Sequence, residues 1–315
     1  MSSDSTKPNT QQSDYGHEID IRELFIVIWK GRFWIIGITF IAALISVAVA
    51  LSLPNIYRSE ALLAVEEEGG GALSGLASQY GGLANLAGIS LPQGGSSEKS
   101  IGIETLKSRQ FVTEFIERRD ILPELIAANS FDRITLELDY DEGVYDPANA
   151  SWTREPSPPR QAIPSPQEAY DAFMDVYRVS QSDENGFVRI SIEHLSPVLA
   201  QQWVTWLVED INEKMMLKAT SEAQQSIDFL SYQLQNTQVV DLQEVFYSLI
   251  EEQTKTIMLA SARPEYLFET IDPAIIPEDR ISPNRMLIVF IGTALGGIAS
   301  CFFLILYYAF KRGQV

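Results

Sequence analysis

The sequence predicts a membrane-proximal α+β domain with a long projecting helix and a helical return, held between two transmembrane helices. Three observations lead there. Two charge-free apolar runs lie near the ends, Trp34–Leu53 with 20 residues and Met286–Phe310 with 25. Each reaches the roughly 20 residues that a helix needs to cross a bilayer's hydrocarbon core. Between them a helical pattern runs unbroken from Ser196 to about Gln235, and shorter stretches alternate as strands do. The chain therefore divides into a tail with an interfacial helix (1–33), a first span (34–53), a folded domain (54–285), a second span (286–310) and a short tail (311–315).

Residues 1–16 are small and polar, the composition of a disordered tail. His17–Lys30 then sets Ile21, Leu24, Phe25, Ile28 and Trp29 at helical spacing, which describes an amphipathic helix on the membrane surface or an extension of the span itself. Trp29, Phe33 and Trp34 suit an interfacial belt. The first run exceeds the apolar core of a signal peptide, typically 7 to 15 residues, and Leu53-Pro54-Asn55-Ile56-Tyr57 offers no small-residue cleavage site, so it reads as a retained anchor. Lys30 and Arg32 flank one span and Lys311 and Arg312 the other, which puts both termini on the cytoplasmic side; Arg58, Arg280 and Arg285 vote against.

Arg58–Val65 is short and apolar enough for a strand, closed by Glu66, Glu67 and Glu68. A glycine-rich insert follows, in which Gly-Leu-Ala at 75–77 recurs at 82–84. Leu73, Leu76, Leu83 and Leu86 share one helical face there, yet each glycine costs about 1 kcal/mol relative to alanine. Such a helix needs a partner surface or a neighbouring subunit; a flexible surface loop is the alternative. Ile101–Arg119 reads as a helix buried through Ile103, Leu106, Phe111, Phe115 and Ile116, ended at Leu122-Pro123. Five prolines between Ala148 and Pro166 make that stretch irregular, anchored by Trp152. Helix resumes over Gln167–Tyr177, and Val188, Ile190 and Ile192 alternate with Arg189, Ser191 and Glu193 as in a half-buried strand. With 58–65, strands at 178–193 and 266–271 mix with helices into the α+β class.

Ser196-Pro197 opens the longest helix, serine as N-cap and proline in the first turn. Its early half is greasy (Trp203, Trp206, Leu207, Ile211) and Lys214–Ser226 is largely polar, so it projects from the domain. After a break near Asn236-Thr237, Val239, Leu242, Phe246 and Leu249 recur at steps of three and four, a short heptad run that packs antiparallel on the first helix or between subunits. Pro273, Pro277 and Pro283 keep 272–284 extended, a strap into the second span. Gly292 and Gly296 form a GxxxG pair in that span, and Ala42, Ser46 and Ala50 repeat small residues in the first, which lets the spans pack on each other or on a partner.

Residues 54–285 carry 17 basic and 37 acidic side chains, a formal charge of −20 that repels nucleic acid and anionic lipid. Neither a GxxxxGK[ST] loop nor a GxGxxG after a strand is present, so a nucleotide has no phosphate cradle. Two histidines and one cysteine, Cys301 inside the second span, argue against metal clusters, Cys-His catalysis and an internal disulfide; no cofactor is expected. His194 reads as a surface histidine. Asp139, Asp141 and Glu142 read as a solvated turn.

Several segments, taken in order, resemble the Wzz-type chain-length determinant family, the polysaccharide co-polymerases of bacterial inner membranes. They are EIDIRELFIVIWKGR before the first span, YRSEALLAV after it, LKSRQFVTEFI, SPVLAQQWVTWLVEDIN, LIEEQTKTIMLASARPEYLFETIDPAIIPE, and SPNR at the entry to the second span. The resemblance implies a periplasmic α/β base, a long helix projecting into the periplasm, and homo-oligomers that set the modal length of O antigen or a related polymer. It also implies action with a Wzy-type polymerase on a lipid-linked glycan, no chemistry of the protein's own, and, with only 311–315 after the second span, the kinase-free class. A two-span periplasmic sensor, an exopolysaccharide export component and a glycan-acting enzyme using Asp141 or Glu142 are the rival expectations.

Overall fold

A computed structural model describes Trp29, residues 31–65 and residues 96–312. It falls into two compact units, one spanning Pro54–Ser282 and one containing the apolar helices that flank it. The interfacial helix expected over 17–30 lies, apart from Trp29, outside the described residues, as do the leucines Leu73, Leu76, Leu83 and Leu86.

The larger unit is built on a four-stranded antiparallel sheet of order β6-β7-β1-β8, formed by β1 (Tyr57–Val65), β6 (Tyr177–Gln181), β7 (Val188–His194) and β8 (Phe268–Asp272). β1 is central. It pairs from Tyr57 opposite His194 to Leu63 opposite Val188, and on its other edge it meets β8 with a bulge at Leu62/Leu63. Alternation decides which face is which: Tyr57, Ala61 and Leu63 with Val188, Ile190 and Ile192 are buried. On the opposite face Arg58 pairs with Glu193 directly across, and Arg189 with Glu60 on the diagonal.

Helices cover the buried face. They are α2 (Ser96–Lys107), α3 (Arg109–Arg119), the short α4 (Leu122–Ile126), α5 (Pro166–Val176) and α6 (Pro197–Asn236). Phe173 of α5 is the hub, with ring centroids 5.5 Å from Phe115, 5.1 Å from Tyr177 and 6.2 Å from Trp203. Truncating so buried a phenylalanine costs about 3–5 kcal/mol. Ala200, Trp203, Val204, Leu207 and Ile211 bring the first turns of α6 into this core.

α6 outlasts the core. Its 40 residues extend roughly 60 Å at 1.5 Å per residue, and the last core residue it contributes in full is Met215. Beyond that, Ala223 and Leu230 are buried where α7 (Val240–Ala262) packs back on it. Three residues, 237–239, join the two helices, and so short a link makes them antiparallel. Ser196 starts α6 by accepting a hydrogen bond from Leu199 N (3.4 Å), with Pro197 in the first turn.

Two sequence expectations need correction. Ile101–Arg119 is two helices, because Ser108 takes an extended conformation and accepts from Phe111 N (3.2 Å), capping α3 afresh. His194 is not on the surface: it is 6% exposed, accepts from Ser196 N through Nδ1 (3.0 Å) and lies 4.9 Å from the Trp203 ring. With Nδ1 accepting, Nε2 carries the proton and donates to Glu124 O (3.1 Å). Burial holds its pKa below the ordinary imidazole value against both hydrogen bonds.

Between α4 and α5 two ribbons add to the unit: β2 (Ala128–Phe131) with β3 (Leu138–Tyr140), and β4 (Tyr145–Asp146) with β5 (Ser151–Trp152). Trp152 does anchor this stretch, edge-on to Tyr145 at 5.1 Å. The prolines after it are tied down by Arg154, which donates to Gln161 O (2.9 Å) and Ala162 O (2.6 Å) and grips Glu168 at 3.0 Å. Glu168 also closes a capping box with Ser165, and its carboxyl is held at about 2, chiefly by Arg154. Asp141 and Glu142 sit at a turn as expected, Asp141 accepting from Gly143 N (2.9 Å), whereas Asp139 lies in β3 opposite Ser130.

The smaller unit pairs α1 (Arg32–Ser52) with α8 (Arg285–Arg312). Both are long and apolar enough to cross a membrane, and their surfaces are almost wholly unburied apolar side chains.

Candidate functional site

Three surfaces can carry function in such a chain, and each is set by local sequence. The first is the seam between α1 and α8. Small residues at a four-residue spacing clear one helix face, and backbones can then approach closely. A Cβ added to Gly292 would run into the Ser46 hydroxyl, and one added to Gly296 into the Ala42 methyl. Nearby, a Cβ at Gly297 would lie 3.7 Å from Thr39 Oγ1, and one at Gly31 would strike Leu304. The order of these meetings makes the pair antiparallel. Ser46 donates to Ala42 O (2.8 Å), so its hydroxyl is satisfied within its own helix. Ala50 is buried as well.

The second is the proline-bearing segment after β8. From Pro273 through Pro277 to Ile281 it has no helix or strand, and it runs back beside the start of β1. Ser59 Oγ donates to Ile275 O (2.7 Å), Gln201 reaches Ala274 O (3.4 Å), and Arg280 donates to Asn55 Oδ1 (3.2 Å). Ile56 and Ser282 complete the contact, with Ile56 N donating to Ser282 O and Ile281 N to Ile56 O, both 2.9 Å. Pro283 then precedes Asn284, whose side chain accepts from Leu287 N (3.2 Å) at the head of α8.

The third is the flank of α6. An open cleft of about 570 Å³ lies between α3 and α6, with Phe111 and Leu217 among its apolar lining and Glu114, Arg118, Asp210 and Lys214 among its charges. Asp210 is 1% exposed. Arg118 meets it at 2.8 Å and Arg119 at 2.6 Å, and the Arg119 guanidinium stacks 4.9 Å over Trp206. A buried carboxylate needs such paired, hydrogen-bonded donors. The Asp210 contact raises the Arg119 pKa, and the Lys214 ammonium holds Glu114 below the usual carboxylate range. These charges satisfy one another and lock α3 onto α6.

Of the heptad residues on the return, Phe246 is buried and Leu249 half-buried, whereas Val239 and Leu242 are exposed. Val239 precedes the helix as its N-cap. Sequence reasoning missed Asn212, which is 2% exposed on α6. Its Oδ1 accepts from Leu267 N (2.9 Å) and Phe268 N (2.8 Å), and its Nδ2 donates to Phe268 O (2.9 Å). No local signal marks an asparagine whose partners lie more than fifty residues on. Among the described residues no group of three or more His, Cys, Asp or Glu side chains is placed to hold a metal ion.

Comparison with known proteins bears on this architecture. No curated protein matches the chain. Among solved structures it is similar to a full-length bacterial polysaccharide co-polymerase, at 13% identity over 93% of this chain and 99% of that one, with a TM-score of 0.41. A fragment of WzzB, a polysaccharide co-polymerase from Salmonella Typhimurium, is similar at 13% identity over 72% of this chain and all of that one, with a TM-score of 0.30. The family described as Wzz, chain length determinant protein, matches residues 17–118. From the approach to α1 through β1 and on to the end of α3, the chain thus carries the pattern of the Wzz chain length determinants.

Proposed function

We propose that the protein is a membrane-anchored regulator of polysaccharide chain length, a co-polymerase without chemistry of its own. The match of residues 17–118 to the chain length determinant family carries this reading. The two apolar helices that flank the α+β unit support it. On this reading both termini are cytoplasmic, the unit spanning Pro54–Ser282 is periplasmic, and copies of the chain associate in the inner membrane. The glycan is lipid-linked, O antigen being the first choice, and a Wzy-type polymerase extends it. The seam at Gly292 and Gly296, the segment holding Pro273 and Pro277, and the flank of α6 and α7 are the surfaces through which a scaffold of this kind acts.

Deleting the gene and resolving the surface polysaccharides on a gel tests the proposal. The expected result is loss of a modal length cluster, restored by the intact gene. A ladder unchanged for every surface polymer would overturn it.

A further inference from the structure

The β2–β3 ribbon ends in an anomaly. Its turn, Asp132-Arg133-Ile134-Thr135-Leu136-Glu137, places two large aliphatic side chains where glycine, asparagine or aspartate is the rule. Ile134 is 93% exposed and Leu136 64%. Leu136 also holds a left-handed backbone, φ 59°, which a residue with a branched side chain rarely adopts. The turn is nevertheless well made: Asp132 Oδ1 accepts from Ile134 N (2.8 Å), and Asp132 N donates to Glu137 O (3.0 Å). A firmly built turn thus presents apolar side chains outward with nothing packed on them.

Where that turn sits names its partner. Arg133 donates to Glu278 O (3.3 Å), and its guanidinium lies 5.6 Å from the centre of the Tyr57 ring. Tyr57 comes just after the apolar helix that ends at Ser52, and Glu278 just before the one that begins at Arg285. The ribbon tip is therefore tied to the two segments through which the domain joins its spans. Ile275, Ile276 and Ile281, all exposed, lie on the second of those segments. Asp132 and Glu137 bracket the tip, so attraction to anionic headgroups does not drive the contact. Apolar contact must.

We infer that the Ile134–Leu136 turn is a membrane-surface anchor, seating its two aliphatic side chains among the lipids at the bilayer face next to the spans. The occupant is lipid, recognised by apolar burial at the interface rather than by charge. This rests on the reading of α1 and α8 as membrane spans.

Nitroxide accessibility in the full-length protein, reconstituted in phosphatidylcholine nanodiscs on a Cys301→Ala background, tests it. Labels go at Ile134→Cys, at Asn149→Cys in the neighbouring ribbon loop, and at Phe302→Cys on α8. The expected result is that the label at 134 collides more with oxygen than with a water-soluble nickel chelate, as the label at 302 does, while the label at 149 shows the reverse order. Replacing a third of the lipid with phosphatidylglycerol should leave that order unchanged. Equal nickel accessibility at 134 and 149 overturns the anchor while leaving the spans in place. Shielding of 134 from both reagents means protein covers the turn, and that also overturns it. An aqueous signal at 302 removes the span reading and the anchor with it.

Discussion

Replacing Asn212 with alanine should loosen the joint between α6 and β8 more than any surface change nearby. The side chain makes three hydrogen bonds of 2.8–2.9 Å to the backbone of Leu267 and Phe268. All three are buried, so truncation strands two N–H groups and one carbonyl away from water. Each stranded group costs about 1–3 kcal/mol. Because the two donors share a single oxygen and some relaxation follows, a net loss of about 3–5 kcal/mol is expected. For a domain of this size that lowers Tm by roughly 6–20 °C. Thermal unfolding of the detergent-purified protein measures it, and hydrogen exchange at the Leu267 and Phe268 amides locates it. Asn212→Asp keeps the acceptor for both N–H groups but sets a carboxylate against Phe268 O, so it should destabilise while protecting those amides better than alanine does. A Tm change under about 2 °C for Asn212→Ala, or unchanged amide exchange, would refute the argument.

Thr39→Cys with Gly297→Cys, on a Cys301→Ser background, should cross-link as a disulfide because the two sites come within van der Waals range. Adding Gly296→Leu should cut the yield about tenfold, since overpacking costs roughly 1–3 kcal/mol; an undiminished cross-link would place the seam elsewhere. His194 predicts a pH dependence. Its folded pKa is depressed, so the stability it contributes is complete above the unfolded value of about 6.5 and declines as pH falls below it. Glu124, whose pKa burial raises, contributes with the opposite sign, present in acid and lost as pH rises through its folded value. Comparing Tm of the native protein with that of His194→Gln between pH 8 and pH 5 isolates the histidine, and parallel curves would contradict its neutral, buried state.

Periodic elements are legible from residues alone. The alternation of Val188, Ile190 and Ile192 marks β7, and Ser196-Pro197 ahead of a long helical pattern marks α6 to within a residue of its end at Asn236. Elements resting on distant partners are not. The β2–β3 ribbon is hidden because its strands, four and three residues long, are too short to alternate visibly, and the turn between them, Asp132-Arg133-Ile134-Thr135-Leu136-Glu137, lacks the usual turn glycine or asparagine. Ser108 looks like one more polar position on a helix until its hydroxyl is seen to cap Phe111 N. His194 falls two residues after Ile192 on the buried side of β7, and its enclosure is completed by α4 and Trp203, which lie far from it in the chain or on the next helix. The same divide runs through the candidate site. Small residues in the apolar runs are visible by type, while the meeting of Gly292 with Ser46 and Gly296 with Ala42 depends on the register of two helices far apart in the chain. The charges around Asp210 are scattered among many similar ones and gain meaning only when α3 crosses α6.

The hydrogen-bonded pair of Ile56 and Ser282 turns the whole stretch between them into a loop closed at its root. A closed root isolates: residues may be added or removed farther out without changing the gap that the flanking helices must accommodate. It also conducts, since a twist applied at either stalk reaches the other across two hydrogen bonds rather than around more than two hundred residues. Length in the outer part and coupling at the base are therefore independent variables in this architecture, free to be altered one at a time.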